Sequence, residues 1–367
     1  MWPKSQISSL ALALAAFAGC SQGEYQDFGE LSNSALALRV DNGVELNGMK
    51  NNGMKNNGMK NNGMKNNGIA MHVASIVNGV LSAVSDDLAI SFSSSQLNGT
   101  DVLASLEDGN TTTYRINKVT YDSSLGTNLY ELTYFDGFTW IPACGTDPTG
   151  AYTKGVLNAP IPSVAFSDTW NLVDGSNIVS DPNLFTFSCV NAAIGKCVVW
   201  GYQRWSARQE CNGGNCKTQD LAFFHQACTR LVRADYCGDG KYHTRNGTAI
   251  DVSDSLGIQN RDGVAGFSLE AEWRHDGAHC IHHTRWNKAD ATQDTAYATD
   301  LDYITAVCPS RLASNDVANC SNPSTSKYFT AYGYDEPLAS RSVRWWAVSC
   351  GVRPAGKGKV SKQVVGV

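Results

Sequence analysis

Four side chains close together in the chain, Glu270, Glu272, His279 and His283, are of the types that bind metal ions. Carboxylate and imidazole together suit zinc, manganese or iron. A hairpin is the element that would gather them. Phe267, Leu269, Ala271 and Trp273 alternate with Ser268, Glu270, Glu272 and Arg274, and Asp276-Gly277 reads as a two-residue turn. If His275 pairs with Ala278, Trp273 lies opposite Cys280, Glu272 opposite Ile281 and Glu270 opposite His283. One face is then apolar, and the other gathers Glu270, Glu272, Arg274, His279, His283 and Arg285. The two arginines weigh against a metal, because cations repel one, and favour a solvated face of cross-strand pairs. The helical HExxH pattern is absent.

Other chemistry has competing structural uses. Cys237 with His243, or Cys280 with His282 or His283, could form a nucleophile and base; disulfide pairing is the alternative use of both cysteines. Asp235, Asp239, Asp251 and Asp254 could serve acid–base work or calcium, yet Asp in glycine-rich turns is what turn chemistry alone requires. Trp200, Trp205, Trp345 and Trp346 could stack on sugars or fill a core. G-x-S-x-G, P-loop and dinucleotide motifs are absent, so no cofactor is expected. A net charge of −5 argues against nucleic acid as a partner.

The run His225 to Gln259 organises the second half of the chain. Leu221, Phe224, Cys228, Leu231 and Val232 share one helical stripe, with Arg230 and Arg233 off it and free to face water. Gly238 and Gly240, just after Tyr236 and Cys237, read as a stop signal. Asp239, His243, Asn246, Asp251 and Asp254 then fall in loops and turns. Cys228 and Cys237 would tie both ends of the helix to something else.

The stretch Arg233-Ala234-Asp235-Tyr236-Cys237, followed by Gly238-Asp239-Gly240, His243-Thr244, Asn246-Gly247-Thr248 and Ile250-Asp251, resembles the signature of the ADYC-domain family. The resemblance extends over roughly Trp140 to Cys350. That family consists of bacterial, largely myxobacterial-type, secreted or lipid-anchored proteins. The resemblance implies a location and a fold unit and carries over no catalytic residues.

Compartment follows from the N terminus and the cysteines. Met1 to Cys20 reads as a processing segment: Lys4 gives a positive start, and Ile7 to Ala18 is apolar but too short to span a bilayer. Phe17-Ala18-Gly19-Cys20 resembles a lipobox, with an ordinary signal peptide as the competing reading. Acyl chains on Cys20 would anchor firmly, at ~0.8 kcal/mol per buried methylene, and Ser21 in place of Asp leans toward the outer membrane. Of the 12 cysteines, all but Cys20 lie from Cys144 onward, at Cys144, Cys189, Cys197, Cys211, Cys216, Cys228, Cys237, Cys280, Cys308, Cys320 and Cys350. In an exported chain these are expected to form disulfides. Zinc spacing is missing, and Cys211-NGGN-Cys216 could close a local disulfide instead. The count without Cys20 is odd, which leaves at least one thiol free or paired with another chain.

Asn-Gly recurs every five residues from Asn42 to Asn67, with Lys50, Lys55, Lys60 and Lys65 between. A short pentapeptide solenoid is one reading, and a low-complexity spacer is the favoured one. Strands are expected at Leu88 to Phe92, Val102 to Leu106, Thr111 to Tyr121 (after Asp108-Gly109-Asn110), Leu129 to Phe135 and Phe138 to Ile141, with shorter pieces at Val164-Ala165-Phe166 and Trp170-Asn171-Leu172. Arg341 to Trp346 reads as a last strand before Cys350. The expected organisation is a lipoprotein signal peptide over 1–20, a tether with the repeats over 21–69 and a β-rich segment over 70–139. An ADYC domain over 140–350 and a basic tail over 351–367 complete it. The expected class is α+β and β-rich: a disulfide-stapled domain with a central helix ending at the Ala234–Cys237 motif, preceded by a small β segment. The leading expectation for function is a non-catalytic binding module in the envelope, held to the membrane by lipid and recognising a glycan or an envelope protein. The rival is an extracytoplasmic hydrolase using the Glu270, Glu272, His279 and His283 face.

Overall fold

The structure, a computed structural model, describes residues 57–67, 69–105, 111–171, 173–178, 184–212, 214–244, 248–263, 265–286, 296–314 and 328–334. The leader with Cys20, the first repeats, the turn at Asp108, Asn246, Cys320, the expected strand at Arg341 to Trp346, Cys350 and the basic tail lie outside these residues.

The first half is a sheet of alternating inward and outward residues. Its strands are β1 (Asn57–Asn66), β2 (Ile69–Val77), β3 (Val80–Ser85), β4 (Ser91–Ser93), β5 (Thr100–Ser105), β6 (Thr111–Asp122), β7 (Thr127–Phe135) and β8 (Trp140–Pro142). Two-residue ladders, β9 (Thr146–Asp147) with β10 (Ala159–Pro160) and β12 (Thr169–Trp170) with β13 (Asn177–Ile178), flank β11 (Ser163–Phe166). β14 (Leu184–Cys189) pairs with both β11 and β1, so β1, β5, β6, β7, β11 and β14 close into a ring. Val102, Tyr114, Ile116, Tyr130, Leu132, Phe185 and Phe187 fill its interior. Tyr130 spans that interior: its hydroxyl donates to Gly79 O at 3.1 Å and accepts from Leu81 N at 2.7 Å.

Two sequence expectations change here. The second half of the repeat is strand β1, although it falls within the expected tether, because Met64 is buried against Met71 and Val102 in the sheet. The sheet also runs through position 139, where a boundary was expected. A ring needs partners for both edges, and β11 and β14 come from beyond that position.

The second half packs one helix on a smaller sheet, with two further helices beside it among the described residues. The helices are α1 (Ala193–Val199), α2 (Leu221–Arg233) and α3 (Asp300–Val307). The exposed hairpin β15 (Ala207–Asn212) and β16 (Asn215–Asp220) leads into α2, whose first turn is capped by Asp220 accepting from Ala222 N at 2.8 Å. The sheet, in the order β17 (Asp251–Asp254), β20 (Phe329–Tyr334), β18 (Phe267–Arg274), β19 (Gly277–Ile281), is antiparallel throughout. The predicted stripe of α2, Leu221, Phe224, Cys228, Leu231 and Val232, is buried together with Ala227 in a core with Trp273 and Phe329. α1 presses on the end of β14: a Cβ on Gly195 would collide with Cys189 O.

The described residues therefore make a β-rich fold with three helices and four disulfides. Cys144–Cys189 ties the ring, and Cys197–Cys228 joins α1 to α2. Cys237–Cys308 joins the segment after α2 to the end of α3, and Cys211–Cys216 closes the β15–β16 hairpin across directly paired positions. Cys280 is disulfide-bonded to a cysteine outside the described residues.

In the chain-entropy account a crosslink's worth grows with the loop it closes. Replacing Cys197 and Cys228, 31 residues apart, with Ala should cost about 3–4 kcal/mol, and removing Cys211–Cys216, 5 apart, about 2 kcal/mol or less. Urea unfolding of the two double variants checks the ranking.

His225 on α2 is fully enclosed, its Nε2 bonded to Ile194 O at 3.0 Å and its ring beside Phe166 and Trp170. Burial, helped by the nearby Arg204 charge, holds its pKa down at about 3. The unfolded chain therefore takes up a proton near pH ~6.5 that the folded chain refuses until about 3. Its share of stability is intact above that window and is lost as pH falls through it, at up to about 1.4 kcal/mol per pH unit. His225→Phe should flatten the acid limb of a stability profile measured from roughly pH 4 to 6.5.

Candidate functional site

The signature residues close the C-terminal end of α2, and each is occupied there. The helix ends at Ala234, not at the glycines, with Ala234 itself in the left-handed conformation (φ 50°, ψ 42°) and fully buried. Its N–H reaches back to Leu231 O at 3.0 Å, and the next N–H, that of Asp235, bonds Arg230 O at 2.9 Å. Asp235 is buried; its carboxylate accepts from Asp239 N and Gly240 N, both at 3.1 Å, and pairs with Arg230. Cys237 is spent in its disulfide with Cys308.

Arg230 and Arg233 do not face water as the stripe suggested. Arg230 also donates to Asp174 O and to His275 O, the latter at 3.3 Å, while Arg233 donates to Gly240 O. Both guanidiniums supply positive charge and donors to carbonyls beyond the helix end, which burial alone would forbid them. Burial draws the pKa of Arg233 down to about 10.

Tyr236 leads into a fully enclosed polar group. Its hydroxyl donates to Glu270 Oε1 at 3.0 Å and accepts from Arg285 N at 2.7 Å. Burial, followed by the Glu270 charge, raises its pKa well above the ordinary tyrosine value. Arg285 grips Glu270 with two bonds, Nε to Oε2 at 3.0 Å and Nη2 to Oε1 at 2.9 Å. The same guanidinium donates to Leu231 O at 3.0 Å and Val232 O at 3.3 Å, two carbonyls in the last turn of α2.

This arrangement corrects the expected polar face of the hairpin, favoured from the sequence as a solvated set of cross-strand pairs over a metal site, because Glu270, Glu272, His279 and Arg285 are buried. The strand register differs by two residues beside the turn, where Arg274 pairs with Gly277 and Trp273 with Ala278, and by one after a bulge, where Glu272 pairs with Cys280. The turn is thus His275-Asp276, because Tyr236 O accepts from Ala278 N at 2.9 Å and fixes where β19 begins. A second irregularity lies between Leu269 and Ala271 against β20, so Glu270 is the extra residue and turns inward to Arg285. His283 bonds Ser268 Oγ at 3.0 Å, and His279 and Glu272 are buried on β19 and β18. Among the described residues no three His, Cys, Asp or Glu side chains could hold a metal ion.

The aspartates act as turn acceptors. Asp251 takes Asp262 N and Gly263 N, both at 2.9 Å, and Asp254 takes Leu256 N at 2.7 Å and Ile258 N at 3.2 Å; both belong to β17 rather than to a loop. Gly238 and Gly240, both at positive φ, lie against backbone: a Cβ would strike Asp276 O at the first and Val173 O at the second. Trp200 is core, and Cys280 Sγ lies 3.5 Å from His282 Nε2 within its disulfide.

One pairing was missed from the sequence. His243 Nδ1 bonds Asp300 Oδ1 at 2.9 Å, with its ring between Tyr236 and Tyr303, and the buried His243 Nε2 has no hydrogen-bond partner among the described residues. Asp300 opens α3, and Thr299 caps that helix by accepting from Asp302 N at 3.0 Å. The Thr-x-x-Asp pattern at 299–302 was the available signal for that helix start, whereas nothing local joined it to His243.

Removing one partner of an enclosed ion pair strands the other. Glu270→Ala should cost about 3–5 kcal/mol in urea unfolding, whereas Glu270→Met combined with Arg285→Met should recover a large part of that loss.

The family model of the ADYC domain matches residues 94–287, more than half of the chain. The match starts ahead of β5, well before Trp140, and ends just after Arg285. No curated protein and no solved structure matches the chain.

Proposed function

The chain belongs to the ADYC domain family, and on that premise we propose that it is a lipid-anchored protein of the bacterial envelope whose disulfide-stapled body is a non-catalytic binding and interaction module. We read the class as α+β, with α2 as its central helix. The observation that carries the proposal is the internal commitment of the signature: Asp235, Tyr236 and Cys237 hold backbone, Glu270 and a disulfide, so the motif serves as a scaffold. Recognition then falls to the surface. At the β7–β8 connection Phe138 is 94% exposed, and Phe135 packs on Trp140 at 5.5 Å, with the Arg115 guanidinium 4.1 Å from the Trp140 centroid. Aromatic surface beside a cation suits a glycan or an envelope protein.

Lipidation of Cys20 makes the membrane the first partner, on the outer membrane given Ser21. The disulfides support an oxidising compartment, and no helix among the described residues is long and apolar enough to cross a membrane. Cys20→Ser should release the protein from the membrane pellet and abolish acyl labelling. On glycan arrays and in peptidoglycan pull-down, Phe138→Ala with Trp140→Ala should weaken capture by about tenfold or more; silence of the native chain on both would remove the sugar ligand from the proposal.

A second reading, a hydrolase of envelope substrates, is favoured by His243 alone. An imidazole oriented by a carboxylate, with its other nitrogen buried and unpaired among the described residues, is the arrangement of a general base once a substrate gains access to it. Hydrolysis of peptidoglycan fragments that His243→Asn abolishes would establish it over the binding role.

A further inference from the structure

The ten residues of β1 read NGMKNNGMKN, and the ten immediately before them, 47–56, read the same. A strand that slides on its partners by an odd number of residues ordinarily turns every side chain to the wrong face. This one escapes that rule. The unit Asn-Gly-Met-Lys-Asn recurs unchanged from Asn47 to Asn66, so a slide by five or ten residues returns the same side chain to every station.

The stations are specific ones. Met64 is buried in register with Met71 and Val102, Lys65 stands opposite Ala70 and Asp101, and Met59 opposite Phe185 and Ala104. The slot also matters to the fold, since the pairing of β1 with β14 closes the ring.

We infer that the ring position held by β1 is filled interchangeably by 57–66 and by 47–56 of the same chain, an exchange that changes by ten residues the length of chain leading from the ring to the N terminus. The two states differ only at the connection to β2. With 57–66 in place only positions 67–68 separate the two strands, and Asn67 has φ 47°. With 47–56 in place it spans 57–68. Loop-closure entropy disfavours the longer connection by roughly 15-fold, so the second state is a minor one, on the order of several per cent. A pull on the N-terminal side favours 57–66, because that state places ten more residues between the ring and the N terminus.

Redundancy of this kind has a signature in paired variants. Met59→Asp with Met64→Asp spoils β1 and leaves the upstream copy intact; Met49→Asp with Met54→Asp does the reverse; the four together spoil both. Thermal unfolding followed by circular dichroism, with limited proteolysis and mass mapping, should place the first double variant within about 5 °C of the native chain. The second should match the native chain, and the quadruple variant should lose the barrel transition. Proteolysis of the first variant should shift its protected strand from 57–66 to 47–56. A Met59/Met64 double variant as damaged as the quadruple one overturns the inference. So does a rescue that occurs only as a dimer in light scattering, which would mean that another molecule's copy enters the ring.

Discussion

The enclosed grip of Arg285 on Glu270 is the interaction from which the helical half of the molecule is arranged. One guanidinium satisfies a carboxylate and two terminal carbonyls of α2 together. A helix end buried without such partners would leave several acceptors stranded. Tyr236 completes the arrangement from the other side, and its own main-chain carbonyl sets the start of β19. Helix, sheet and the chain after Cys237 thus meet at one polar centre, surrounded by the aromatic core of Trp273, Phe224 and Phe329.

Around that centre the covalent links follow the same logic. Cys197–Cys228 fixes the first helical layer, and Cys237–Cys308 brings α3 against the loop that carries Asp239 and His243. The ring half needs fewer such links because its strands bond one another in a closed cycle, which leaves few open edges.

The sequence made the local elements legible and hid the long-range ones. The stripe Leu221 to Val232, the hairpin around Asp136, the strand at Val164 and the local bridge Cys211–Cys216 all depend on neighbours in the chain, and all are present. The hairpin's polar face was misread as solvated because alternation assumes an unbroken strand, while two bulges redirect Glu270 and Glu272. Arg230 and Arg233 were misplaced because helical periodicity reports where apolar residues go, not which carbonyls await a buried cation. The repeat was read as a spacer since its low complexity conceals a strand whose partners, β5 and β14, lie far along the chain. His243 and Asp300 are 57 residues apart, and only the fold brings them together.

Gly238 and Gly277 meet backbone to backbone, with a Cβ on Gly277 falling 2.8 Å from Gly238 N and one on Gly238 colliding with Asp276 O. Neither position can compensate for a change at the other, because each fills its half of the gap with main chain alone. Drift at this contact therefore has no neutral intermediate: a lineage that abandons either glycine must rebuild the hairpin turn and the loop after Cys237 in a single step.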